Sequence, residues 1–149
     1  MSHTWGRPAE EHRDGWVVVD VETSGFRPGQ ARVLSVAALA LDGAGNVEQS
    51  VVSLVNPGVD PGPTHIHGIT PEMLEDQPVF AEIAGDLAEL MHGRTVVAHN
   101  AGFDYSFLTA EAEIAGVVLP IDSVMCTVEL ARRLELGLQN LRLETLARH

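Results

Sequence analysis

Between Trp16 and Gly25 the chain reads WVVVDVETSG, and no other stretch constrains the fold as tightly. β-Branched residues dominate the run and Ser24 with Gly25 closes it as a turn, so residues 16–22 are predicted to form a strand, best placed at the buried centre of a sheet. Asp20 and Glu22 stand two residues apart at its end. Alternation puts both carboxylates on one face, with Cα atoms roughly 6.6–6.8 Å apart, and turns Val21 the other way. Two acids in such a place repel each other and lose hydration unless a cation or hydrogen-bond donors hold them, which suits a hard ion such as Mg²⁺ or Mn²⁺. The plainer alternative is that both acids mark the strand end and face solvent, and D-x-E alone is too short a pattern to decide.

Two further apolar runs, residues 33–41 and 47–55, flank the turn-forming DGAGN at 42–46 and predict a β-hairpin. Three strands in succession give the sheet an antiparallel start, and PGVDPGP at 57–63 leaves it as a surface loop. The period then changes. Thr70, Pro71 and Glu72 form a helix start. After Pro78 the residues Phe80, Ile83, Ala84, Leu87, Leu90 and Met91 recur at helical spacing up to His92 and Gly93. TVVAH at 95–99 is a short strand, and after Asn100 a helix carries Phe103, Phe107, Ala110 and Ile114 on one face before Gly116 ends it. Residues 119–125 are predicted as a strand and 127–134 as a helix, with Asn140 capping a last helix whose face is Leu143, Leu146 and Ala147. The expected fold is α/β, a mixed sheet of three antiparallel strands then parallel ones, flanked by helices.

At 149 residues this is the size of one domain. Residues 1–15 are polar and read as a flexible N-terminal arm in which His3 and His12 have no role. With 45% hydrophobic and 20% charged residues the chain suits a globular protein and not a disordered or fibrous one. No apolar run approaches the ~18 residues of a membrane span and no signal region opens the sequence, so the expectation is a cytoplasmic protein with no membrane partner. The lone Cys126 excludes an internal disulfide and is expected to be a small buried residue. The net charge of −12 argues against a protein that grips phosphates with basic patches. A carboxylate cluster bridged to phosphate by divalent ions can nevertheless be acidic overall. It implies weak substrate binding, or a partner that holds the nucleic acid.

A third acid, Asp104, lies in HNAGFD, in the first turn of the helix that follows TVVAH. An acid at a helix N-terminus is common for its own sake. If the end of TVVAH lies beside the end of the first strand, however, the three acids meet in one cleft. Taken together, VVVDVETSG, HGIT at 67–70 and VAHNAGFDYSFL resemble, in order and spacing, the first two motifs of the DEDD 3′-to-5′ exonuclease superfamily and the segment between them. The similarity runs from Trp16 onward, and HGIT is closest to the branch, exemplified by epsilon proofreading subunits of bacterial DNA polymerase III, whose general base is a histidine. The resemblance implies a ribonuclease H-like fold over residues 16–149. It makes Asp20, Glu22 and Asp104 three of four carboxylates holding two divalent ions, with single-stranded nucleic acid 3′ ends as substrate and a polymerase subunit as a possible partner. It also makes Thr23, Asn100, Phe103 and His67 candidates for substrate binding. Phe103 is expected mainly to pack in the core, Asn100 to orient Asp104 or the substrate, and His67 and His99 to flank the cleft, more as structurally bonded histidines than as the base.

The third motif of that superfamily, a histidine with an aspartate a few residues later, should follow the helix that begins near Leu141, and the sequence stops before it. His149 falls too early, and Glu129, Glu135 and Glu144 read as ordinary helix-surface acids. The expectation is a C-terminally incomplete domain that binds its ions weakly and cleaves poorly or not at all. An exoribonuclease and a non-catalytic module that binds polymerase or nucleic acid are the competing readings.

Overall fold

The computed structural model describes residues 15–149, so all but the last residue of the expected N-terminal arm lies outside the described residues. β1 (Gly15–Thr23) alternates as its sequence predicts: Val17, Val19 and Val21 are buried, while Val18, Asp20 and Glu22 face outward. β2 (Val33–Asp42) and β3 (Val47–Leu54) form the expected hairpin around Asp42, whose carboxylate accepts the amides of Ala44 and Asn46 at 2.9 Å. β1 pairs antiparallel with β2 and parallel with β4 (Thr95–Ala98), which in turn pairs parallel with β5 (Val124–Cys126). The sheet order is β3-β2-β1-β4-β5. This is the mixed, ribonuclease H-like sheet that the sequence led us to expect.

α3 (Phe80–Met91) buries all six predicted stripe residues, Phe80 through Met91, against the sheet. Its first turn is tied by the Glu82 carboxylate, which accepts the Val79 amide at 2.9 Å. Leu87 is fully buried, so truncating it to Ala costs about 2–5 kcal/mol. α4 (Ala101–Ala115) runs from Asn100 to Gly116, both in the left-handed region, at φ 62° and 68°. Asparagine tolerates that conformation better than other side chains, and it lets the chain turn sharply from β4 into the helix.

Several sequence expectations need correction. The strand predicted at 119–125 is reduced to β5, because β4 offers only Val96–Ala98 for pairing and Pro120 has no amide to give a ladder. Ile114 is 55% exposed, and α4 instead buries Asp104, Phe107, Leu108 and Glu111, a face that hydrophobic periodicity cannot reveal because two of its members are acids. A short helix, α1 (Thr64–His67), occupies HIH where no element was expected, and α2 (Pro71–Leu74) lasts only one turn. α5 (Thr127–Leu134) matches its prediction, but Glu135 beyond it is a left-handed C-cap at φ 48° and not a helix-surface acid. α6 (Leu143–Ala147) buries none of its residues, and its N-cap is Arg142. Asn140 acts from two residues upstream, its Oδ1 accepting the Arg142 amide and the Thr145 hydroxyl at 3.0 and 2.8 Å. Cys126 is half-buried. Burial alone would raise its thiol, but amides of Glu129, Ala101, Val128 and Asn100 outweigh this and hold it below the usual range. No helix among the described residues is long and apolar enough to cross a membrane.

Candidate active site

The parallel pairing of β4 with β1 stops at Val18 and Val97. Beyond it, the edge of β1 that would face β4 is left to the start of α4, which follows β4 through Asn100. Asp104 fills that place. Its Oδ1 accepts the Val21 amide at 3.2 Å, so the carboxylate from α4 sits against the backbone between Asp20 and Glu22. A bulge between Glu22 and Thr23 bends the strand end at the same point. The three acids proposed from sequence therefore come to one end of the sheet, at the carboxyl ends of its parallel strands.

The electrostatics record the meeting. Burial first, then the charge of Asp20, push the Asp104 carboxyl up to about 6, against the opposing Val21 amide, and Glu22 adds a smaller repulsion. Glu22 is likewise raised, by burial and then by Asp20, with the nearby His67 working the other way. Among the described residues no three or more His, Cys, Asp or Glu side chains are gathered closely enough to hold an ion as they stand. The donor set nevertheless fits a hard cation. It consists of carboxylate oxygens alone, it holds more negative charge than the hydrogen bonds around it satisfy, and it lies partly out of water, where a divalent ion would lower the repulsion.

Beside Glu22 opens a cleft of about 160 Å³, walled by the strand end from Val21 to Phe26, by Pro63, Ile66 and His67 around α1, and by Phe103 of α4. Thr23, His67 and Phe103 thus share one cleft. Thr23 is held by its hydroxyl, which donates to the Gly25 carbonyl at 2.7 Å. Phe103 is half-buried, its ring tilted 45° against Phe107 at 4.7 Å, so it belongs to the core on one side and to the cleft on the other. His67 accepts the Ile69 amide on Nδ1 at 3.0 Å and donates from Nε2 to the Pro61 carbonyl at 2.7 Å. Both ring nitrogens are occupied, which makes it a brace of the α1 turn. Asn100 is exposed, and among the described residues its side chain makes no hydrogen bond to Asp104. His99 stands apart from the cleft, its Nδ1 bonded to the Thr127 hydroxyl at 2.9 Å, and joins the end of β4 to α5.

Two cleft residues escape sequence reasoning. Phe26 and Ile66 are 82% and 66% exposed, an unusual state for side chains of that size flanking an acidic site. The signal available was an aromatic residue placed directly after the SG turn. Ile66 becomes visible only once α1 is known to be helical.

The chain matches the exonuclease family RNase_T over residues 17–149. It is 30% identical to the DNA polymerase III subunit epsilon of Treponema pallidum, covering 99% of this chain and 69% of that protein. It is 36% identical to the PolC-type DNA polymerase III of Bacillus cereus, covering 93% of this chain and 10% of that protein. It therefore spans only about a tenth of the PolC-type relatives it matches. Among solved structures, E. coli Exonuclease I in complex with a dA16 oligonucleotide superposes with a TM-score of 0.78 at 21% identity, over 91% of this chain and 35% of that one.

Proposed function

This chain belongs to the RNase_T exonuclease family, and on that premise we propose that it removes nucleotides from the 3′ end of DNA, as a proofreading or repair exonuclease. The observation that carries the reading is the Val21 amide bound to Asp104, which sets the third carboxylate between the other two. Asp20, Glu22 and Asp104 would hold the divalent ions, Mg²⁺ or Mn²⁺, two in the complete site. Ions bound there supply a water of lowered pKa and charge stabilisation for the leaving 3′ oxygen.

The chain's own residues do the rest. Phe26, Ile66 and Phe103 offer apolar surface on which the terminal base can pack, a contact that every base can make and that leaves sequence unread. Thr23, fixed through Gly25, presents its backbone beside Glu22 to the terminal sugar. His67 keeps the Ile66 wall in place by its two backbone bonds. With a net charge of −12 the protein holds nucleic acid weakly by itself, which fits a chain whose substrate is presented by a polymerase subunit.

The test is digestion of a 5′-labelled single-stranded DNA oligomer with Mn²⁺, beside an RNA oligomer of the same sequence. Stepwise shortening from the 3′ end, faster on DNA and abolished by Asp20→Ala, is expected. Faster RNA digestion would replace DNA by RNA as the substrate, and no digestion of either, together with no Mn²⁺ binding that depends on Asp20 and Asp104, would leave a binding module.

A further inference from the structure

Away from the acids, α4 buries a second carboxylate. Glu111 is only 2% exposed, yet it is ionically paired: Arg32 donates to it from Nε and a terminal nitrogen at 2.8 and 2.9 Å, and the Val33 amide donates to the same Oε1 at 3.0 Å. Arg32 is also bonded to one wall of the cleft, at Ser24, and to the loop at Pro57. Its backbone exchanges bonds with Ser24, the Arg32 amide donating to Ser24 Oγ at 2.8 Å and the Ser24 amide to the Arg32 carbonyl at 2.9 Å. Its remaining guanidinium nitrogen donates to the Pro57 carbonyl at 3.2 Å. One residue thus ties together, through its backbone, the loop that follows Glu22 and Thr23 and, through its side chain, α4 and the segment that leads to α1.

We propose that Arg32 and Glu111 are a positioning pair for the carboxylate site, holding α4 in the rotation and axial position that bring Asp104 to Val21. Glu111 and Asp104 are two helical turns apart on one face of α4, so a helix anchored at Glu111 is anchored roughly 10 Å further along at Asp104. Burying a charged pair is a poor way to gain stability, since apolar residues of similar volume do as well or better. What the forked, bidentate geometry supplies is direction, which a hydrophobic contact lacks. The kinetic part of this inference rests on the exonuclease reading, and the structural part does not.

The experiment compares wild type with the double variant Arg32→Met/Glu111→Gln, which removes both charges while keeping an acceptor for the Val33 amide. Glu111→Gln alone serves if the double variant does not fold, and Arg32→Lys tests the fork. Two quantities are read on protein that melts well above the assay temperature: hydrogen exchange at the Val21 amide, and kcat and KM on single-stranded DNA with Mn²⁺. The expected result is faster Val21 exchange with the exchange of central β2 amides unchanged. With it kcat falls on the order of 10²-fold and KM changes little, the loss typical of reacting groups displaced by about an ångström. Arg32→Lys recovers only part of the loss. Unchanged Val21 exchange, or full kcat in the uncharged variant, overturns the proposal. If wild type itself digests nothing, the exonuclease reading fails and the Val21 exchange alone decides the positioning role.

Discussion

The Val21 amide donates to the Asp104 carboxylate at 3.2 Å, a contact between residues 83 positions apart that joins the first strand to the helix after the fourth. It leaves Asp104 buried beside Asp20 and Glu22, with its carboxyl pushed up to about 6 by burial and then by the charge of Asp20.

A stability prediction follows from that shift. Folded, Asp104 keeps its proton up to about pH 6, whereas unfolded it releases it near pH 4. Between those values the folded state binds more protons, so the group favours folding below pH 4 and this contribution is lost as pH rises through 6. Asp104→Asn keeps an acceptor for Val21 and removes the ionisation. In ion-free buffer at pH 7.5 the variant should be more stable than wild type by on the order of 1 kcal/mol after allowance for solvent screening, and equal to it at pH 4. Thermal melts at the two pH values check this.

The same ionisation sets a pH profile for cleavage. At subsaturating Mn²⁺ the rate on single-stranded DNA should rise with pH through the range around 6, because a proton on Asp104 competes with the ion for the carboxylate, and saturating Mn²⁺ should flatten that rise. Chelation should abolish cleavage and returned Mn²⁺ should restore it. Asp104→Asn should lower the rate on the order of 10²-fold or more at every pH.

Phe26→Ala and Ile66→Ala should leave the melting temperature nearly unchanged, since both side chains are largely exposed. Phe26→Ala should weaken substrate binding by about 1–3 kcal/mol, the range for losing an aromatic stacking partner of a base, and Ile66→Ala by less, both alike for all four bases. Steady-state KM on homopolymers measures it.

Gly62→Ala should unsettle the cleft from beneath. The residue has φ +76°, and an added Cβ would lie 2.6 Å from the Ser24 carbonyl oxygen, so the turn before α1 would have to move off the strand-end loop. A loss of about 1–3 kcal/mol is expected, with a raised KM in the fraction that remains folded. Denaturant melts and kinetics on the same sample separate the two.

Much of this was legible in the residues. The alternation of Val17, Val19 and Val21 against Asp20 and Glu22 fixed which way the acids face, and the helical spacing from Phe80 to Met91 fixed the face of α3. The placement of Asp104 stayed conditional in the sequence, which brought the three acids together only if TVVAH ended beside the first strand, and the parallel pairing of β4 with β1 meets that condition. Periodicity failed on α4 because Asp104 and Glu111 occupy buried positions that a hydrophobic pattern assigns to solvent, and only pairing across the fold, with Val21 and with Arg32, makes their burial tolerable. It failed at α1 because a helix of four residues has no period to detect. The strand at 119–125 was overdrawn because local β preference says nothing of how many partner residues β4 can offer.

The most direct measurement is a Mn²⁺ titration by calorimetry at pH 7.5 on wild type, Asp20→Asn and Asp104→Asn. Saturable binding in wild type that either substitution removes or weakens at least about tenfold, through loss of one charged oxygen ligand, is the predicted result. Binding that is the same in all three proteins would contradict it, because the ion would then be held somewhere other than between these carboxylates.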